Sequence, residues 1–363
     1  MSKLFSQLSI KDITFKNRIV TSPMCMYSAE NGYATDWHLV HYGTRAIGGA
    51  GTVLLEATAV IPEGRISTGD LGIWSDKHIP GLKRIANFIK ESGSVPGIQI
   101  AHSGRKGSYK VSGADSRLLE TEEEGGWEVS GPSAIPFSEG ALTPRELDIE
   151  EIKEIRNNFK EAAARAAASG FEVLEIHSAH GYLLHSFLSP VSNKRNDQYG
   201  GSLKNRARLL FEIVSDVQEV WPENLPLAVR ISATDWIDDG WDLESSLWLS
   251  EELASRGVDI IDVSSGGSSP DAKIPVGPAY QLPLAKSIKE KVGDNIAVGT
   301  VGMITNAAQA ETILLNQDAD FIFLGRELLR NPYFPLNAAR ELRADIQVPK
   351  QYERAFPIKK SVV

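Results

Sequence analysis

Eight short runs rich in apolar and β-branched residues recur along the chain, and an amphipathic stretch follows each. The runs at 18–22, 52–60, 95–101, 173–177, 225–231, 260–264, 296–300 and 321–325 read as strands. The stretches at 37–47, 81–92, 149–168, 205–221, 243–256, 280–292, 306–316 and 332–342 carry a helical period. Gly93, Gly170, Gly257 and Gly293 follow several of them as helix stops. Eight β/α units without a linker predict an α/β protein, a (β/α)8 TIM barrel forming one domain over 1–363. An open doubly wound sheet is the alternative, but it needs a switch point and usually has fewer units.

One segment departs from the alternation. Residues 103–146 are rich in Gly, Ser and acidic side chains, including Thr121-Glu122-Glu123-Glu124-Gly125-Gly126-Trp127. A loop of this length after the third strand is expected to be a lid over the substrate. Composition narrows the partners. Lys+Arg is 38 against Asp+Glu 47, a net charge of -9, which argues against nucleic acid and anionic membrane. No apolar run reaches the roughly 18 residues of a membrane span. The amino terminus lacks a signal-peptide pattern. A single cysteine, Cys25, permits neither an internal disulfide nor a cysteine-ligated iron–sulfur cluster. A cytoplasmic enzyme is the expectation.

The chemistry gathers where the fourth strand ends. In Val173-Leu174-Glu175-Ile176-His177-Ser178-Ala179-His180-Gly181-Tyr182, alternation puts Val173, Glu175 and His177 on one face and Leu174 and Ile176 on the other. The carboxyl ends of parallel strands are where barrels place catalytic groups. Two imidazoles and a phenol there suit a reaction that polarises an oxygen and moves a proton. His177 and His180 have metal-like spacing, but no third ligand is evident, so no metal is expected. His38 and His41, also three apart, read as structural. Gly302 after the seventh strand, with Gly325 and Arg326 after the eighth, suit a phosphate, or else ordinary turns with a surface ion pair. Gln99 and Arg230 point into the barrel, toward a structural partner such as Glu175 or toward the polar edge of a planar ligand.

Four motifs together resemble the Old Yellow Enzyme family of flavin ene-reductases. They are Ser22-Pro23-Met24-Cys25-Met26-Tyr27, Gly97-Ile98-Gln99-Ile100-Ala101-His102, His177-Ser178-Ala179-His180-Gly181-Tyr182-Leu183 and the run from Asn193 to Ser202. Gly325-Arg326-Glu327-Leu328-Leu329-Arg330 and Gln351-Tyr352-Glu353-Arg354 are similar to its bacterial-type, thermophilic-like branch. The resemblance implies FMN at the carboxyl face of the barrel. Pro23, Met24 and Cys25 would line the flavin, Ala57 and Gln99 reach its ring, and Arg230 lie near N1. Gly302, Gly325 and Arg326 would hold its phosphate. His177, His180 and Tyr27 would receive the substrate, and Tyr182 would donate a proton. NADPH or NADH would be the reductant, and an enone or nitro compound the substrate. Arg354, within the tail 345–363, would enter a neighbouring subunit's site, which implies a homodimer or homotetramer. Cys25 would tune the flavin potential; otherwise it is a small buried hydrophobe. Other FMN barrels lack the His-x-x-His-Gly-Tyr arrangement, and a flavin-storing binding protein is the non-enzymatic reading. The 103–146 segment is longer than in the shortest family members, its Trp127 matches no assigned family role, and the chain continues past Arg354.

Overall fold

The computed structural model describes residues 2–112 and 115–356. The eight expected strands form one closed parallel barrel. They are Ile19–Thr21, Thr52–Ala59, Val95–Ala101, Val173–Ser178, Leu227–Ser232, Ile260–Ser264, Ala297–Thr300 and Phe321–Leu324. Each of the eight expected helices is present within a few residues, and Ile149–Ala168 matches at both ends. Sequence cues set those ends. Asp148, Ser202, Asp242 and Asn306 accept a bond from the backbone N–H three residues on, which satisfies a free donor of the first turn. Gly93, Gly170, Gly257 and Gly293 all have positive φ where their helices stop.

Strand alternation divides the core into two layers. Outward residues such as Ile98, Leu174, Val229 and Ile261 pack beneath the helices. Inward residues Val20, Leu54, Val95, Val173, Ala228, Ile260, Phe321 and Phe323 fill the lower barrel. Large and small residues interlock there: a Cβ on Gly97 would meet Leu54 at 2.2 Å, and one on Gly299 would meet the Phe323 ring at 2.2 Å. An amino-terminal hairpin, Leu8–Ile10 with Ile13–Phe15, closes the lower end. Its Phe15 meets Phe321 edge-on at 5.1 Å between ring centroids.

That hairpin was not expected from the sequence, nor were the short helices Leu183–Leu188 and Arg326–Arg330. The long segment after the third strand contains structure of its own. Tyr109–Ser112 pairs with Asp115–Leu118, and Ser130–Gly131 pairs with Arg145–Glu146. Trp127 anchors it: the Arg65 guanidinium lies 4.9 Å from its ring centroid. Of the tail, residues 357–363 lie outside the described residues.

Candidate active site

The inward residues of the upper barrel are polar, and neighbouring strands align them. Gln99 is in register with Glu175, His177 with Arg230, and Arg230 with Asp262. Gln99 Nε2 donates to Glu175 Oε1 at 2.7 Å, and Arg230 Nε lies 3.1 Å from Asp262 Oδ2. Both polar residues therefore have structural partners. Arg230 Nε, Glu175 Oε2 and both Asp262 oxygens still lack a hydrogen bond among the described residues. Burial raises the Glu175 and Asp262 carboxyls, and Arg230 pulls both back.

Above this layer stand His177, His180 and Tyr182. The His177 ring centroid lies 5.2 Å from that of His180 and 5.2 Å from that of Tyr182. Burial, then the nearby Arg230 charge, holds both imidazoles well below their ordinary pKa, so both are neutral. His177 Nδ1 has no partner among the described residues. His180 Nε2 lies 2.7 Å from Ser264 Oγ. Burial and nearby acidic groups push the Tyr182 phenol well above its usual value.

The loop carrying these groups is held from several sides. The His180 N–H donates to Ser232 Oγ at 2.9 Å, and Lys106 Nζ donates to the His180 carbonyl at 2.9 Å. The Gly181 N–H donates to His185 Nδ1 at 2.8 Å, and His185 Nε2 lies 3.2 Å from the buried Asp235. Gly181 itself is required: φ is 73°, and a Cβ would meet the Gly267 carbonyl oxygen at 2.2 Å.

The loop after the first strand brings Pro23, Met24, Cys25 and Tyr27 to the same end of the barrel. Glu56, fully buried at a bulge in the second strand, fastens it. Glu56 Oε2 accepts the Met26 N–H at 2.7 Å, and Oε1 accepts the Tyr42 hydroxyl at 3.0 Å. The Thr35 N–H donates to His38 Nδ1 at 3.0 Å, so the proton of a neutral His38 sits on Nε2, 3.3 Å from Glu56. Ala57, next along the strand, offers its backbone N–H to Cys25. Burial, then Asp70 and Glu56, keeps the Cys25 thiol protonated.

At the ends of strands five to eight, and reaching the Met24 side chain at Gly325, a cleft of about 280 Å³ joins Arg230, Ser264, Tyr280, Gln281, Gly302, Gly325 and Arg326. Gly302 has a φ of 118°, and a Cβ there would meet Gln281 Nε2 at 2.8 Å. Among the described residues the Arg326 guanidinium has no ion-pair partner, unlike Arg330, which pairs with Glu327. The glycines, the free guanidinium and the unpaired polar atoms of the barrel fit a planar, phosphate-bearing group such as FMN.

A scan against family models matches residues 3–345 to the NADH:flavin oxidoreductase / NADH oxidase family. The chain belongs to this family. Solved structures agree. Morphinone reductase in complex with tetrahydroNAD is 25% identical, with a TM-score of 0.77, over 96% of this chain and 92% of that one. 2-Naphthoyl-CoA reductase is 26% identical with a TM-score of 0.85, over 93% of this chain. Histamine dehydrogenase from Rhizobium sp. 4-9 is 28% identical with a TM-score of 0.78, over 93% of this chain. The chain spans about half the length of these last two, 52% and 48%.

Every residue named from the sequence for flavin or substrate lies at the upper barrel, except Arg354. That arginine is exposed in a short turn, Lys350–Ala355. The preceding 347–352 line a cleft with Gly49 and Gly93, at the end where the strands begin. Among the described residues no cluster of His, Cys, Asp or Glu could hold a metal, and no helix is long and apolar enough to cross a membrane. The sequence reading missed Glu56, Lys106, His185, Asp235 and Gln281. Glu56 and His185 were visible as polar residues inside apolar runs. Lys106, in a Gly- and Ser-rich stretch, carried no such signal.

Proposed function

We propose that the protein is an ene-reductase of the Old Yellow Enzyme group, similar to its bacterial-type branch. It takes reducing equivalents from NADPH, or NADH, and reduces the activated C=C bond of α,β-unsaturated carbonyl or nitro compounds. The grouping of His177, His180 and Tyr182 beside a cleft suited to FMN carries this reading. FMN, when bound, supplies the hydride relay between nicotinamide and substrate. Pro23, Met24, Cys25, Ala57, Gln99 and Arg230 line its ring, and Gly302, Gly325 and Arg326 bind its phosphate.

The remaining chemistry belongs to the chain. His177 and His180, neutral and hydrogen-bond donating, bind the substrate oxygen and stabilise the charge that develops on it, as an oxyanion hole does. Tyr27 closes this end of the pocket. Tyr182 gives its proton to the α carbon. The segment 103–146 acts as a lid, and Arg354 completes the site of a neighbouring subunit in a homodimer or homotetramer. Morphinone reductase, a named reductase aligned along nearly its whole length, supports the reading.

The test separates the two halves of the cycle. The yellow protein should bleach with NADPH and regain colour with an enone in the absence of oxygen. Tyr182→Phe fills nearly the same volume but has no proton to give. It should slow recoloration by roughly 10²–10⁴-fold, the usual share of a general acid, and leave bleaching nearly normal. Equal slowing of both steps, or of neither, would remove Tyr182 from the donor role.

A further inference from the structure

Lys106 stands at the foot of the segment 103–146, in the short turn Gly104–Lys106. Its ammonium donates to the carbonyl oxygens of His180 and Gly267, each at 2.9 Å. It also lies over two aromatic rings, 4.2 Å from the Phe137 centroid and 5.2 Å from that of Tyr182. No carboxylate is among these contacts. Its neighbour Arg105 adds a second positive charge and bonds the Ser268 carbonyl at 2.6 Å. A cation without a counter-anion thus sits against the face of the proposed proton donor.

That placement answers a problem in the chemistry. When Tyr182 protonates the α carbon, its O–H bond breaks and a C–H bond forms from the electron pair of the enolate. Tyr182 is left as a phenolate, later reprotonated by solvent. Burial and, when ionised, Asp70 oppose that anion, and Arg230 alone among the named neighbours favours it. A cation over the ring interacts far more strongly with a phenolate than with a phenol.

We propose that Lys106 is a positioning residue for the proton transfer: its charge compensates the phenolate that Tyr182 becomes, and its two carbonyl bonds fix that charge in place. The proposal rests on the reading of Tyr182 as donor. It also ties the lid to the chemistry, because Phe137 of the same segment packs on the ammonium.

Burial, reinforced by Arg105, lowers Lys106 to about 8, so its charge is lost just above neutrality. The groups facing it do not titrate there: His177 and His180 are held well below their ordinary value, and Tyr182 is raised well above. Elsewhere in the site Asp70 is held up to about 7 and Glu175 is also raised.

The experiment follows enone-dependent recoloration of the flavin-loaded protein between about pH 6 and about pH 10. In the unmodified protein the rate should fall above about pH 8. Lys106→Met should slow recoloration at neutral pH on the order of tenfold, and its profile should lose that fall. Lys106→Arg stays charged throughout, so it should recover most of the rate and carry the plateau to higher pH. Lysine NMR of the loaded protein gives a readout apart from turnover. Two amines should titrate near 8, from Lys16 and Lys106, and Lys106→Met should remove one. Persistence of the fall in Lys106→Arg would assign it to another group, such as Glu175, and overturn the proposal. So would equal slowing of bleaching and recoloration by Lys106→Met, which marks a purely structural pin. Tyr182→Phe keeps the two readings apart. If it recolours normally, the donor assignment fails. If it is slow while Lys106→Arg retains the fall, only the role of Lys106 fails.

Discussion

Tyr27 and His180 both hold a left-handed backbone, with φ of 51° and 61°, a conformation that non-glycine residues seldom adopt. His180 stands two residues past the end of the fourth strand, and Tyr27 six past the end of the first. Such strain persists only where surrounding contacts enforce it. For His180 the contacts are Ser232 below and Lys106 above. For Tyr27 one is the loop around Gly69, where a Cβ would meet the Tyr27 carbonyl at 2.6 Å. The free guanidinium of Arg326 yields a prediction at the same scale. A charge-assisted bond to phosphate is worth more than a neutral one, so Arg326→Ala should weaken FMN binding roughly 10–100-fold. Flavin fluorescence on serial dilution measures this, and an unchanged affinity would take Arg326 out of the phosphate site. Residue types and strand ends made the two histidines, Tyr182 and Arg326 visible in the sequence. Lys106 was not visible, because its partners are carbonyl oxygens and rings from three distant segments.

The elements were legible where their periodicity was strong. All eight barrel strands and their helices follow from apolar runs and glycine stops, since parallel strands buried on both faces leave an unmistakable apolar signature. The amino-terminal hairpin has strands of three residues, too short to show alternation above chance. Its role comes from closing the barrel floor, a long-range contact that no local pattern encodes. The second strand shows how an irregularity serves the site. Its register shifts between Leu55 and Ala57, and the bulge aims Glu56 at the loop that carries Cys25 and Tyr27. The Met26 N–H and the Tyr42 hydroxyl donate to opposite oxygens of that carboxylate, and a Gln amide has only one acceptor atom. Glu56→Gln must therefore leave one buried donor facing an NH₂ group. It should destabilise the protein by about 1–3 kcal/mol, read from urea denaturation, and loosen the loop so that Cys25 is alkylated faster. Unchanged stability and thiol reactivity would mean the loop is fixed by its other contacts.

At the scale of the whole molecule, folding buries titratable groups of both signs, and their opposing shifts set how stability depends on pH. His41 is lowered to about 3 and His102 to about 4, mainly by burial; His78, His177 and His180 are lowered too. An unfolded histidine takes up a proton near pH 6.5, whereas in the folded protein these take it up only at lower pH. Below about 6.5 the unfolded chain therefore binds more protons at these sites, and stability falls with falling pH. The buried carboxyls act in the other sense. Asp70, raised to about 7 by burial, and the raised Glu175 and Asp262 stay protonated when folded at a pH where the unfolded chain has released those protons. Each contributes stability at low pH that is lost as pH rises from about 4. Between about 4 and 6.5 the five histidines outnumber the three carboxyls, so stability should still rise with pH. Above about 6.5 the histidine contribution is constant, and the continuing loss from Asp70 and Glu175 outweighs the gain from Lys16 and Lys106, which release protons near 8 only when folded, so stability should decline toward pH 8. The flavin-free protein should thus be most stable near about pH 6.5, with lower urea midpoints at about pH 5 and about pH 8. Glu175→Gln should flatten the alkaline side and leave the acid side in place. A midpoint that changed in one direction only across this range would show that one set of buried groups does not keep its folded-state protonation.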